Sequence, residues 1–234
     1  MPRILPYLRL MRISALPTCW ANALTAFWLS GGADRYDLLA MLLFVSSCFY
    51  LGGMVLNDVC DAKIDAVERP ERPIPSGQVV LPIAILISKV LLMQGASFAL
   101  MLGVFVKSEA TIVAGLALLA CILLYNFFLK QIPVIGPITM GLCRFFNILM
   151  ISFAGGGGVS VYAVSVFAYI TAVTILSGYE TQSLFVRKLV GIGLSSIILI
   201  DAVWCLACVD VFPALTVLSL YPVAMFLRRI VSMT

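Results

Sequence analysis

Eight apolar runs of roughly twenty residues each divide this chain, and they leave few folds open to it. They fall at 13–31, 38–56, 81–105, 110–129, 134–154, 159–178, 189–208 and 212–228. Apolar residues make up 62% of the 234 positions and charged residues 11%, with a mean hydropathy of +1.11. Soluble domains run nearer a quarter charged, so the composition specifies an integral membrane protein of the helical kind. The expected fold is all-α: a polytopic transmembrane helical bundle of about eight spans, forming one domain over 1–234. The first run is long and lacks a clear small-residue cleavage site, so it reads as a span and not as a cleaved signal.

Basic residues orient the bundle. With the N-terminus inside, the inner segments carry Arg3, Arg9, Arg12, Lys63, Arg69, Arg72, Lys130, Arg187, Lys188, Arg228 and Arg229. The outer loops carry only Arg35 and Lys107, an asymmetry that follows the positive-inside rule. The net charge of +4 reflects this topology and gives no reason to expect nucleic acid as a partner. The chain has no histidine, which excludes Ser-His-Asp, Cys-His and HExxH chemistry. Its seven cysteines are scattered, mostly in apolar runs, and read as small buried residues and not as zinc ligands.

Acidic residues are concentrated where the second run ends. Of 11 in the chain, Asp58, Asp61, Asp65, Glu68 and Glu71 fall within one short stretch. No helix breaker separates the span from this strip, so the helix is expected to continue past the membrane surface. Offsets of 3, 4 and 7 then place Asp58, Asp61 and Asp65 on one face. Carboxylates stacked in this way repel one another unless positive charge lies among them. A divalent cation is the expected remedy, since Mg²⁺ takes one or two protein carboxylates and fills its other positions with water and ligand phosphate. The strip is thus a candidate site for a diphosphate on an apolar tail, with Asn57 orienting a ligand or a metal-bound water. The following segment, Glu68 to Gly77, holds three prolines and is expected to form an extended loop that keeps Arg69 and Arg72 near the carboxylates. Guanidinium forks match phosphate oxygens.

Further candidates lie elsewhere. Lys130 closes the fourth span on the strip's side, as an interfacial anchor or a phosphate contact. Arg144, some ten positions from either end of the fifth span, is expected to face a cavity and to pair with an acid or hold ligand, and Asn147 would share its face. Asp201 is a second intramembrane charge, which pairs with Arg144 or caps an outer cavity. Lys89 is expected to snorkel. Glu180, where the sixth span gives way to an inner loop, is a solvated loop charge or a ligand-binding acid.

Asn57, Asp58, Asp61 and Asp65, in the pattern NDxxDxxxD, followed by Arg69 and Arg72, resemble the first aspartate motif of the UbiA superfamily of intramembrane prenyltransferases. The block Asn57 to Gly77, with Gly136-Pro137 and Met140 to Arg144, looks most like the EboC branch. The resemblance implies a helical bundle with a central cavity open to lipid. It also implies Mg²⁺-dependent transfer of a prenyl group from an isoprenoid diphosphate to an aromatic or other lipophilic acceptor. Catalytic and metal-binding roles would fall to Asp58, Asp61 and Asp65. Asn57, Arg69, Arg72, Lys130, Arg144 and Glu180 would bind substrate. The chain departs from the family pattern at the second aspartate motif, where it offers Glu180 and no aspartate, and in having eight spans instead of nine. A rival expectation is a non-catalytic membrane protein that binds isoprenoid or lipid diphosphate and aids metabolite maturation or export.

Overall fold

The computed structural model describes residues 4–32, 35–179 and 184–231. Its elements, all helical, are α1 (Leu5–Leu10), α2 (Leu16–Leu29), α3 (Tyr36–Glu68), α4 (Leu81–Phe105), α5 (Glu109–Leu124), α6 (Ile135–Ala154), α7 (Val161–Ser177), α8 (Leu184–Cys208), α9 (Val211–Leu218) and α10 (Leu220–Ile230). A 3₁₀ turn, Ile13–Ala15, precedes α2, and a π-helical turn, Tyr125–Leu129, extends α5.

Each of the eight apolar runs coincides with helix. Among the described residues six helical stretches are long and apolar enough to cross a membrane. The shorter ones are α7, with 17 residues, and α2, with 14. At 1.5 Å per residue α2 measures about 21 Å, less than a hydrocarbon core of about 30 Å. The last run is interrupted at Ser219, which divides α9 from α10.

Neighbouring helices close into a ring, α2 to α3, then in order to α8 and back to α2, with α2 also touching α6 across the ring. Helices α9 and α10 pack outside α2 and α8. Without a hydrophobic drive between helices in lipid, such contacts depend on small residues that let backbones approach. Gly141 on α6 is one: a methyl there would lie 2.9 Å from the backbone oxygen of Phe167 on α7. Gly141→Ala is therefore expected to force these helices apart and lower stability by about 1–3 kcal/mol, read as a lower thermal midpoint in detergent.

As expected, α3 runs unbroken from the bilayer region through the acidic strip to Glu68. The segment after it differs from expectation. Residues 69–79 wind through successive turns, closed by Arg72 N to Arg69 O, Ser76 N to Arg72 O and Val79 N to Pro73 O, instead of extending. Proline's fixed φ suits turn positions as well as extended ones, and Gly77 supplies the left-handed residue at φ +74°. Lys89 is exposed on α4.

Candidate functional site

A cavity of about 580 Å³ lies inside the ring, walled by α2, α3, α5, α6, α7 and α8. Its wall is mixed: apolar side chains such as Phe49, Leu118, Ile122 and Ile170, and a mouth crowded with charge. Asn57, Asp61, Asp65, Arg69, Arg72, Lys130 and Arg144 all line it, so the fold gathers most of the sequence-selected residues around one space. Asp58 does not line the cavity and is 6% exposed. Glu180 lies outside the described residues.

The positive charge that the strip requires is supplied by side chains. Arg72 is buried and donates from Nη1 to Asp65 Oδ2 at 2.7 Å, with Asp58 Oδ1 3.6 Å away. Arg12 donates from Nη2 to Asp58 Oδ1 at 3.0 Å. Lys130 donates from Nζ to Asp61 Oδ1, and Asn57 donates from Nδ2 to Asp61 Oδ2 at 3.1 Å. Three carboxylates therefore meet three cations. Asn57 holds Asp61 in orientation here. Arg69 is exposed at the mouth and makes no ion pair among the described residues.

Sequence reasoning found Arg12 only as one of several inner basic residues. Its backbone is left-handed, φ 48° and ψ 44°, at the entry to the 3₁₀ turn before α2. That conformation costs a non-glycine residue roughly 1–2 kcal/mol, and the Asp58 ion pair helps offset it. Burial works against the charge, but the Asp58 carboxylate holds the guanidinium above its ordinary pKa. The π turn was also not anticipated. It closes with Lys130 N bonded to Tyr125 O, and this wider turn sets the direction in which Lys130 reaches Asp61.

Deeper in the cavity, Arg144 faces inward as expected and Asn147 lies on the same wall. Asp201 is linked to Arg144 without touching it. Asn22 accepts from Arg144 Nη1 at 3.1 Å and donates to Asp201 Oδ2 at 2.8 Å, while the Tyr162 hydroxyl donates to Asp201 Oδ1 at 2.9 Å. The two intramembrane charges are thus joined through one amide.

Among the described residues no three acidic, cysteine or histidine side chains converge to cage a metal ion. Asp61 and Asp65 nevertheless share the cavity wall, and the Asp61 side chain is 21% exposed. Mg²⁺ is ordinarily bound by one or two carboxylates together with water and phosphate oxygens. The donor set fits that open mode and not a closed protein cage.

Comparison with known proteins finds a family and a fold that this chain matches. The model of the UbiA prenyltransferase family matches residues 14–232. A digeranylgeranylglyceryl phosphate synthase of Sulfolobus acidocaldarius is 31% identical over 138 residues, 58% of this chain and 48% of that protein. The chain spans about half the length of such curated relatives. Among solved structures, one described as digeranylgeranylglyceryl phosphate synthase superposes with a TM-score of 0.66 at 19% identity, covering 99% of this chain and 96% of that one. A UbiA homologue from Archaeoglobus fulgidus bound to GPP and Mg²⁺ has a TM-score of 0.61 at 14% identity, covering 96% and 86%. At these identities the structural likeness establishes the fold.

Proposed function

Because the chain belongs to the UbiA prenyltransferase family, we propose that it transfers a prenyl group from an isoprenoid diphosphate to a lipophilic acceptor in the membrane, with Mg²⁺ as cofactor. The observation that carries this reading is the ring of paired charges at the mouth of an apolar cavity. Arg72 and Lys130 are held on Asp65 and Asp61, and Arg69 is exposed beside them. A diphosphate entering there meets cations that can exchange a carboxylate for phosphate oxygens. Asp61 and Asp65 would hold Mg²⁺, with Asn57 keeping Asp61 aligned. When bound, the ion supplies stabilisation of the leaving charge.

In the reaction the bond between prenyl C1 and the diphosphate oxygen breaks, and its electron pair leaves with pyrophosphate. The acceptor atom bonds to C1 and gives up its proton. Arg72, Lys130 and Arg69 stabilise the charge that collects on the leaving group. The apolar wall around Phe49, Leu118 and Ile122 excludes water from the allylic cation. The count of basic residues supports a mouth on the cytoplasmic side. The block Asn57 to Gly77 and Met140 to Arg144 supports a place near the EboC branch, whereas the relatives named above are digeranylgeranylglyceryl phosphate synthases. Their name supports a prenylated glyceryl phosphate as one acceptor to test.

The test is pyrophosphate release from an allylic diphosphate by the purified chain, with Mg²⁺ and a panel of lipophilic acceptors. Release that requires both Mg²⁺ and acceptor is expected, and chelation by EDTA should abolish it. Diphosphate binding without release across the panel would favour the non-catalytic binding protein instead.

A further inference from the structure

We infer that the deep end of the cavity, away from the mouth, is a second subsite, built on Arg144 and Asn147, that binds an oxyanion carried by the acceptor. This rests on reading the mouth as the prenyl diphosphate site. Arg144 stands near the middle of α6, where a cation in hydrocarbon needs a partner or a polar cavity. Its guanidinium is fixed from three sides. Nη1 donates to Asn22 Oδ1, Nη2 donates to Thr18 Oγ1 at 3.1 Å, and the Tyr50 ring lies 5.5 Å from Cζ. None of these is a counter-ion. Among the described residues no carboxylate lies within 4.0 Å of it. Both oxygens of Asp201 are already engaged by Asn22 and Tyr162.

The second observation is independent of the first. Asn147, one turn along α6 and lining the same cavity, is 4% exposed, and neither its Nδ2 nor its Oδ1 has a hydrogen-bond partner among the described residues. Ser46 on α3, 1% exposed and also lining the cavity, has a hydroxyl with no partner among the described residues. Buried polar groups are almost always paired, so unpaired ones in a cavity wall call for a ligand. A guanidinium with donors to spare, an amide N–H and a hydroxyl together suit a carboxylate or phosphate.

The position fits an anchor, not a second diphosphate site. Tyr50, beneath Arg144, precedes Asp61 on α3 by eleven residues, about 16 Å along the axis. An acceptor held by its anion at Arg144 would direct its nucleophile back toward the mouth.

Binding to the full chain in detergent, with three probes sharing an oleoyl chain, tests this: lysophosphatidate, oleate and uncharged monoolein. At least one of the two anions is expected to bind tenfold or more tightly than monoolein, and which one does so separates phosphate from carboxylate. Asn147→Leu and Arg144→Gln should each weaken that binding at least tenfold, whereas Asp61→Asn should leave it unchanged. Because the Asn147 side chain makes no hydrogen bond among the described residues, Asn147→Leu should keep or raise the thermal midpoint while losing the anion, which a purely structural role would not produce. If Arg144→Gln fails to fold, Asn147→Leu decides. Anion binding no tighter than monoolein, or unchanged in Asn147→Leu, would overturn the subsite. Geranyl diphosphate with Mg²⁺ should show the opposite dependence, on Asp61 and not Asn147. Its failure to bind would remove the reading of the mouth and leave the lipid-anion result standing.

Discussion

Asp61→Asn is expected to lower prenyl transfer roughly 10²–10³-fold, the scale seen when one preorganised charge-stabilising group is lost from a transition state. Asp61 is the member of the strip that both lines the cavity and retains solvent exposure, at 21% of its side chain. It also fixes Lys130 and is itself fixed by Asn57. The amide is nearly isosteric and can still accept from Lys130, so the fold should lose only about 1–2 kcal/mol. Turnover measured beside the thermal midpoint checks the two together. A variant that retains wild-type turnover would remove Asp61 from the chemistry.

Arg72→Ala is expected to have the largest effect on stability. Among the described residues Arg72 is the only group that reaches both Asp58 and Asp65, whose side chains are 7% and 6% exposed. Removing it leaves Asp65 with no cation within ion-pair distance among the described residues, although Asp58 keeps Arg12. Breaking a buried pair in this way costs about 3–5 kcal/mol, because the remaining charge is neither solvated nor compensated. The midpoint in detergent should fall accordingly. Adding Asp65→Asn to Arg72→Ala should recover much of the loss, since it removes the stranded charge, and a double-mutant cycle should return a coupling of about 1–3 kcal/mol. Additive losses would mean that Arg72 acts through packing alone.

The helices were legible because lipid makes a simple demand on sequence. Long apolar runs must become helix, and each of the eight did, including the continuation of α3 through Asp58, Asp61 and Asp65 to Glu68. The inward aim of Arg144 was legible for the same reason, since a cation at mid-span has few alternatives. What pairs with what was not legible. Arg12 meets Asp58 across 46 residues and Asn22 meets Asp201 across 179, and no local pattern encodes such contacts. The divalent cation expected to relieve the Asp strip was inferred from repulsion alone. Arg12, Arg72 and Lys130 already meet that need in the folded chain. The turns after Glu68 escaped notice because proline is equally at home in extended and turning backbone.

At the mouth, Arg12, Arg72 and Lys130 are each held on a carboxylate, of Asp58, Asp65 and Asp61 respectively. Cations paired in this way project little long-range field of their own, so these three do little to draw in anions from a distance. Capture then depends on a swap at contact range, in which phosphate replaces carboxylate on each cation. The association rate of a diphosphate should accordingly vary only weakly with ionic strength, while its dissociation should carry most of the salt response.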